Sequence, residues 1–251
     1  MTNGLRRFRA PPSAGPAPEA AQANAQVNAQ ATAGVAGPVA GPVAGPVTAR
    51  CEMCAEPVGD DHGHVVDVET RSLMCACRGC RLLFTARAAA RGRYRAVPDR
   101  YLYAPSFRIA TADWEELSIP VRTAFFFRNS ALGRTVAFYP SPAGATESLL
   151  RLDIWERVLA DNPELADAEP DVEALLVDRG PADRGPADGG PAGFACHLVP
   201  IDACYHLVGL VRLHWKGFDG GQEAWNAIDG FFAGLRERAK VVEPERGPHG
   251  R

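Results

Sequence analysis

Lysine is almost missing from this chain: Lys216 and Lys240 are its only two. Its basic charge is arginine, and a formal net charge of −3 makes the whole molecule a poor binder of polyanions by charge alone. No apolar run approaches the ~18–20 residues needed to span a bilayer. Arg6, Arg7 and Arg9 are followed by no apolar stretch, which argues against a secretory or twin-arginine signal. There is no Gly-x-Gly-x-x-Gly fingerprint and no P-loop, so nucleotide binding has no support. Phe8 is the only aromatic in the first 50 residues, which are dominated by Ala, Gly, Pro and Gln. Such a tract lacks the apolar bulk for a core, so residues 1–50 are expected to be disordered.

Cysteine is scarce too, with seven copies, yet five of them fall between Cys51 and Cys80. They read Cys51-Glu-Met-Cys54 and Cys75-Ala-Cys77-Arg-Gly-Cys80. Two residues between thiols let both sulfurs of a tight turn face one ion, and a second such turn completes a tetrahedral four-thiolate set. Without an export signal, clustered thiols point to metal in a reducing cytoplasm rather than to disulfides. The expected ligands are Cys51, Cys54, Cys77 and Cys80, and the expected ion is zinc. Cys75, His62 and His64 are alternates. The same thiolates suit an iron–sulfur cluster or a dithiol redox centre. A Rieske arrangement does not fit, because it needs Cys-x-His and none occurs among the clustered cysteines from Cys51 to Cys80. Ala55 and Arg81 stand where ribbon knuckles usually carry Gly.

His64–Val68 and Leu73–Met74 are short β-like runs around a polar turn, so residues 51–84 read as knuckle, hairpin, knuckle: a zinc-ribbon-like module that a metal must stabilise. Leu82, Leu83 and Phe84 are expected to dock this module onto the body, and the alanines after them to form a short helix.

Residues 85–105 read as a basic, aromatic connector. Arg78 to Arg108 holds eight arginines and one acid, Asp99, interleaved with Phe84, Tyr94, Tyr101, Tyr103 and Phe107. Arginines contact phosphates and tyrosines stack bases, so nucleic acid is one conceivable partner. The plainer reading pairs this stretch with the acidic one from Asp153 to Asp178.

Residues 106–242 read as an α+β domain, a mainly antiparallel sheet packed with two or three helices. Val121–Phe127 and Arg134–Tyr139 form an expected hairpin. Pro140–Ala145 reads as a turn, with Thr146 capping a helix that carries Trp155 and Val158. Val172–Val177, Phe194–Val199 and Cys204–Leu213 are expected strands. Residues 179–193 repeat Gly-Pro-Ala-Asp and read as a flexible insertion. The last element is a helix in which Ala224, Trp225, Ile228, Phe231, Phe232 and Leu235 recur at helical spacing. Residues 243–251 read as a frayed tail. Cys196 and Cys204, with His197, His206 and His214 nearby, admit a Cys–His nucleophile, although core thiols are the simpler account. The turn Trp215–Gly221 offers amides to an anion, although a plain turn suffices.

The string from Cys51 through His62-Gly-His64 to Cys75-Ala-Cys77-Arg-Gly-Cys80-Arg-Leu-Leu-Phe84 resembles an actinobacterial family of uncharacterised proteins. So do Phe138–Ser148, Glu169–Leu176 and Pro200–Gly209, and the resemblance spans roughly residues 50–240. It implies genes near those of nickel–iron hydrogenase, and so an accessory or maturation role. It carries over no catalytic residues. The expectation is therefore a non-catalytic, cytoplasmic zinc-binding accessory protein with a protein partner and no membrane contact. An iron–sulfur or dithiol redox protein, or a nucleic-acid-binding ribbon, is the alternative.

Overall fold

A computed structural model describes residues 49–148, 152–180 and 193–242. The tail expected over 1–50, the insertion over 179–193 and the C-terminal tail over 243–251 lie almost wholly outside them. The fold is α+β with two sheets, both mostly antiparallel.

The smaller sheet has three strands in the order β2-β1-β3, with β1 at Gly63–Asp67, β2 at Ser72–Ala76 and β3 at Tyr94–Ala96. The polar turn between the first two strands is held by Asp67, whose carboxylate accepts the amides of Glu69 and Thr70. The same carboxylate takes the Arg93 guanidinium at 2.8 Å, tying β3 to the hairpin. The third strand thus comes from within the stretch that reads as irregular connector.

The larger sheet has seven strands, in the order β10-β4-β9-β8-β5-β6-β7. They are β4 Leu102–Ala104, β5 Thr123–Asn129, β6 Arg134–Ser141, β7 Gly144–Ser148, β8 Glu173–Arg179, β9 Phe194–Pro200 and β10 Lys240–Val241. Among the described residues, only the β10–β4 pair is parallel. Period-two alternation sends Phe126 to one face, stacked on Trp155 at 3.8 Å. Phe125 and Phe127 go to the other face and stack on Phe138. The first face is covered by Thr111–Glu116 and Leu152–Ala160, through Trp114, Ile154, Trp155 and Val158. The second is covered by Ile201–His214 and Gly221–Arg238, through Cys204, Leu207, Val211, Ile228 and Phe232. Burial on both faces explains why β8 is a nearly continuous apolar run.

Three local expectations are corrected. Cys204–Leu213 is not a strand; it lies in the helix Ile201–His214. Almost every residue there is apolar, so alternation carries no information, while the buried set Ile201, Cys204, Leu207, Val208 and Val211 follows helical spacing. Thr146 caps no helix: it pairs with Tyr139 inside β7, and the turn shrinks to Pro142 and Ala143. The alanines after Phe84 make only a 3-10 turn, Ala89–Gly92, with Ala90 and Arg91 left-handed. The helix instead forms earlier, at Arg78–Leu82, because the Cys77 sulfur accepts the Cys80 amide as an N-cap.

The ribbon sheet meets the larger domain through Val66, Leu73 and Val97, which join the core beneath Ile201–His214. Leu82 and Leu83 do not take part. They are 55% and 68% exposed, and only Phe84 of the expected docking trio packs, edge-on against Tyr94 within the ribbon.

Candidate metal centre

Two chain turns bring four sulfurs together. In the first, the Ala55 amide returns to the Cys51 carbonyl at 2.8 Å and the Cys51 amide to the Glu56 carbonyl at 2.8 Å, folding Cys51–Cys54 into a knuckle. Ala55 closes it with a left-handed φ of 62°, the conformation for which ribbon knuckles carry Gly. The second knuckle is the Cys77 cap at the start of Arg78–Leu82. Arg81, at its usual Gly position, donates from Nε and Nη2 to the Val97 carbonyl and so ties the knuckle to the chain beyond β3.

The sulfurs of Cys51, Cys54, Cys77 and Cys80 all lie within 4.8 Å of one another. Cys54 Sγ and Cys77 Sγ are 3.7 Å apart. Tetrahedral zinc with Zn–S of ~2.3 Å separates its sulfurs by about 3.8 Å, so this spacing fits a metal's coordination shell. It does not fit a disulfide, whose sulfurs lie ~2.05 Å apart. All seven cysteines are free thiols.

The electrostatics favour a cation. Burial opposes ionisation of Cys51, but the amides of Cys77, Met53 and Cys54 outweigh it and hold this thiol at about 6. Cys80 is pushed up to about 12, first by the Cys54 sulfur, then by burial and by Cys77 and Cys51. One thiolate forms readily and its neighbours then resist the next, and a divalent ion would relieve that repulsion.

The alternates are gathered elsewhere. His62, His64 and Cys75 form a second group whose ligand atoms also lie within 4.8 Å of one another. Register explains it: Cys75 faces His64 directly across the β1–β2 ladder, and His62 is two residues along on the same face. Glu52 brackets Cys75 by accepting its amide at 2.8 Å. Burial first, then the Glu52 carboxylate, raises the Cys75 thiol above its ordinary value.

Cys196 and Cys204 are fully buried on opposite faces of the large sheet, one in each core. Burial raises both thiols, so neither is a ready nucleophile. His197 points away from Cys196, into the other core, where it stacks on Tyr103 at 4.8 Å. The turn at Trp215–Gly221 carries Glu223 beside it, which accepts from His214 and Lys216 and disfavours an anion there.

Much of the basic stretch is consumed internally. Arg87, Arg93, Arg95 and Arg100 pair with Asp67, Glu69, Asp167, Glu169, Asp171 and Glu173. Tyr103 and Phe107 are buried, and Tyr101 lies under the Arg238 guanidinium. This leaves less charge and fewer open rings for a nucleic acid.

Asp202 escapes sequence reasoning altogether. Its carboxylate lies 2.8 Å from His64 Nδ1. Nothing local signals a partner so distant in the chain. Among the described residues, no helix is long and apolar enough to cross a membrane.

No curated protein and no solved structure matches the chain. Residues 50–239, which hold both cysteine knuckles, β1 to β9 and the last helix, match a family of unknown function, DUF5947. The chain belongs to that family.

Proposed function

We propose that this protein is a non-catalytic, cytoplasmic zinc-binding accessory protein. One ion on Cys51, Cys54, Cys77 and Cys80 holds its ribbon in shape, and the ribbon meets a protein partner. The observation that carries the reading is the four-sulfur group, a closed donor set of the structural zinc type with every position filled by protein. Zinc there supplies folding energy rather than reactivity.

The ribbon also supplies a contact surface. Leu82 and Leu83 project beside the second knuckle, with over half of each side chain in solvent. Two adjacent exposed leucines on a metal-stiffened turn suit a protein partner better than a polyanion. The partner we propose is a nickel–iron hydrogenase or one of its assembly factors, a tie that rests on the resemblance of the sequence stretches given above.

Calorimetric titration of the zinc-loaded chain against a hydrogenase and its assembly factors tests this. Binding that is lost with Leu83→Asp supports the reading. Absence of binding to all of them overturns the hydrogenase tie. Visible colour with acid-labile sulfide in anaerobically purified protein overturns the zinc assignment in favour of iron–sulfur.

A further inference from the structure

We propose that His62, His64 and Cys75 form a second metal site, separate from the four thiols, that takes a borderline divalent ion through two imidazoles and one thiolate. Three observations converge on it.

The first is proximity. The three ligand atoms lie within 4.8 Å of one another, and the two imidazole rings are 4.9 Å apart, tilted by 50°. Rings stacked for packing alone need no thiol beside them.

The second is tautomer. His62 Nδ1 lies 2.7 Å from the Gly59 carbonyl, which can only accept, so Nδ1 carries the proton. His64 Nδ1 lies 2.8 Å from the Asp202 carboxylate, which fixes the same tautomer. In the neutral form both rings therefore present Nε2 as a lone pair. An outer acceptor on one nitrogen, with the other left to ligate, is the arrangement metal-binding histidines adopt.

The third is an unmet need. His62 Nε2 is buried and has no hydrogen-bond partner among the described residues. A buried acceptor left unpaired is destabilising, and an ion at this point would satisfy it.

Two imidazoles and a thiolate suit zinc and its borderline neighbours rather than magnesium or calcium. Three protein ligands leave a fourth tetrahedral position vacant, which marks an exchangeable site rather than a closed structural one. His62 and His64 also line an open polar cleft shared with Arg78, Arg81 and Asp202, so water or a small anion has access.

The site does not depend on the four-thiolate reading, and zinc counting separates the two. The full chain is loaded with zinc, desalted and analysed for metal, then challenged with a chromogenic chelator. Wild type is expected to hold two equivalents released in two phases. His62→Ala, His64→Ala and Cys75→Ser are each expected to lose the faster-released equivalent and keep the slower one. The retained zinc and an unchanged circular dichroism spectrum show that these variants fold. Cys54→Ser is expected to lose both equivalents, because the strands that carry His64 and Cys75 depend on the thiolate-bound ion. If Cys54→Ser loses nothing while His64→Ala loses one, the four-thiolate reading fails and this site stands. A single equivalent in wild type, untouched in all three of the first variants, overturns the proposal.

Discussion

His64 Nδ1 and Asp202 Oδ2 lie 2.8 Å apart across 138 positions of sequence. His64 belongs to the ribbon sheet, and Asp202 to the first turn of the helix that covers the larger one. One hydrogen bond therefore links the cysteine-knuckle module to the body and orients a proposed ligand. Asp202→Ala is expected to weaken zinc at the His62–His64–Cys75 group by roughly 10–100-fold, leaving the four-thiolate ion in place. Competition with a chelator of known affinity reads the difference. Equal affinities in the two proteins would remove Asp202 from any supporting role.

The ribbon's own apolar core is small: Cys51, Val58, Val65 and Ala76 are its buried members. Too little area is buried there to fold the module unaided. Cys51→Ser or Cys77→Ser is expected to abolish hydrogen-exchange protection in Gly63–Asp67 and Ser72–Ala76. Protection in Glu173–Arg179 should persist, since that strand lies within the larger sheet. Mass-spectrometric exchange resolves these segments. Full protection of the hairpin in the variants would show that metal is dispensable for the ribbon.

Ala55 carries a left-handed backbone, a conformation that costs a residue with a Cβ about 1–2 kcal/mol. Ala55→Gly relieves the strain but adds freedom to the unfolded chain, so the expected net gain is about 0.5–1 kcal/mol. Slower zinc release to a chelator is expected alongside it. Faster release would mean that the first knuckle does not limit the site.

Glu173 is 1% exposed, and its carboxylate is held by Arg100 and by the Glu169 amide. Removing the guanidinium leaves a buried charge unpaired. The usual cost of 3–5 kcal/mol is discounted here because Arg100 itself is partly exposed, so Arg100→Ala is expected to destabilise by about 2–3 kcal/mol in urea. Arg91, outside these pairs, is expected to change stability by less than ~0.5 kcal/mol when replaced by Ala. Equal effects at both positions would contradict a structural role for the basic stretch.

Neither ring nitrogen of His197 has a hydrogen-bond partner among the described residues. Burial, and then Arg236, pulls its pKa down to about 4 from an ordinary 6.5. The folded state thus favours the neutral ring. That contribution is complete above the unfolded value and drains away as pH falls from about 6.5 toward 4, amounting to about 2–3 kcal/mol by pH ~4.5. His197→Phe should flatten stability over this window, measured by urea unfolding at several pH values. Parallel pH profiles for the two proteins would mean that the ring is already charged or solvated in the fold.

The strongest local signals survive translation into structure, weaker ones fail, and long-range relations leave no local mark. The Cys-x-x-Cys spacing, the β5–β6 hairpin and the final helix are each encoded within a few residues, and each is found where the sequence puts it. The helix Ile201–His214 escapes because it is apolar nearly all round, which erases the difference between periods of two and 3.6. Leu82 and Leu83 escape because hydrophobicity alone does not say which leucine is covered; β3 arrives from Tyr94–Ala96 and takes the place they are expected to fill. The grouping of His62, His64 and Cys75 rests on strand register, legible only once the turn at Asp67 is known. Asp202 lies beyond any local rule.

Zinc-edge X-ray absorption on anaerobically purified His64→Ala protein, grown with both zinc and iron, decides whether zinc sits on the four knuckle sulfurs. With the imidazole site disabled, one zinc per chain is expected in an all-sulfur shell at ~2.3 Å, absent when Cys77→Ser is added. Iron with acid-labile sulfide, or zinc that survives loss of Cys77 in a shell of nitrogen and oxygen, would contradict it.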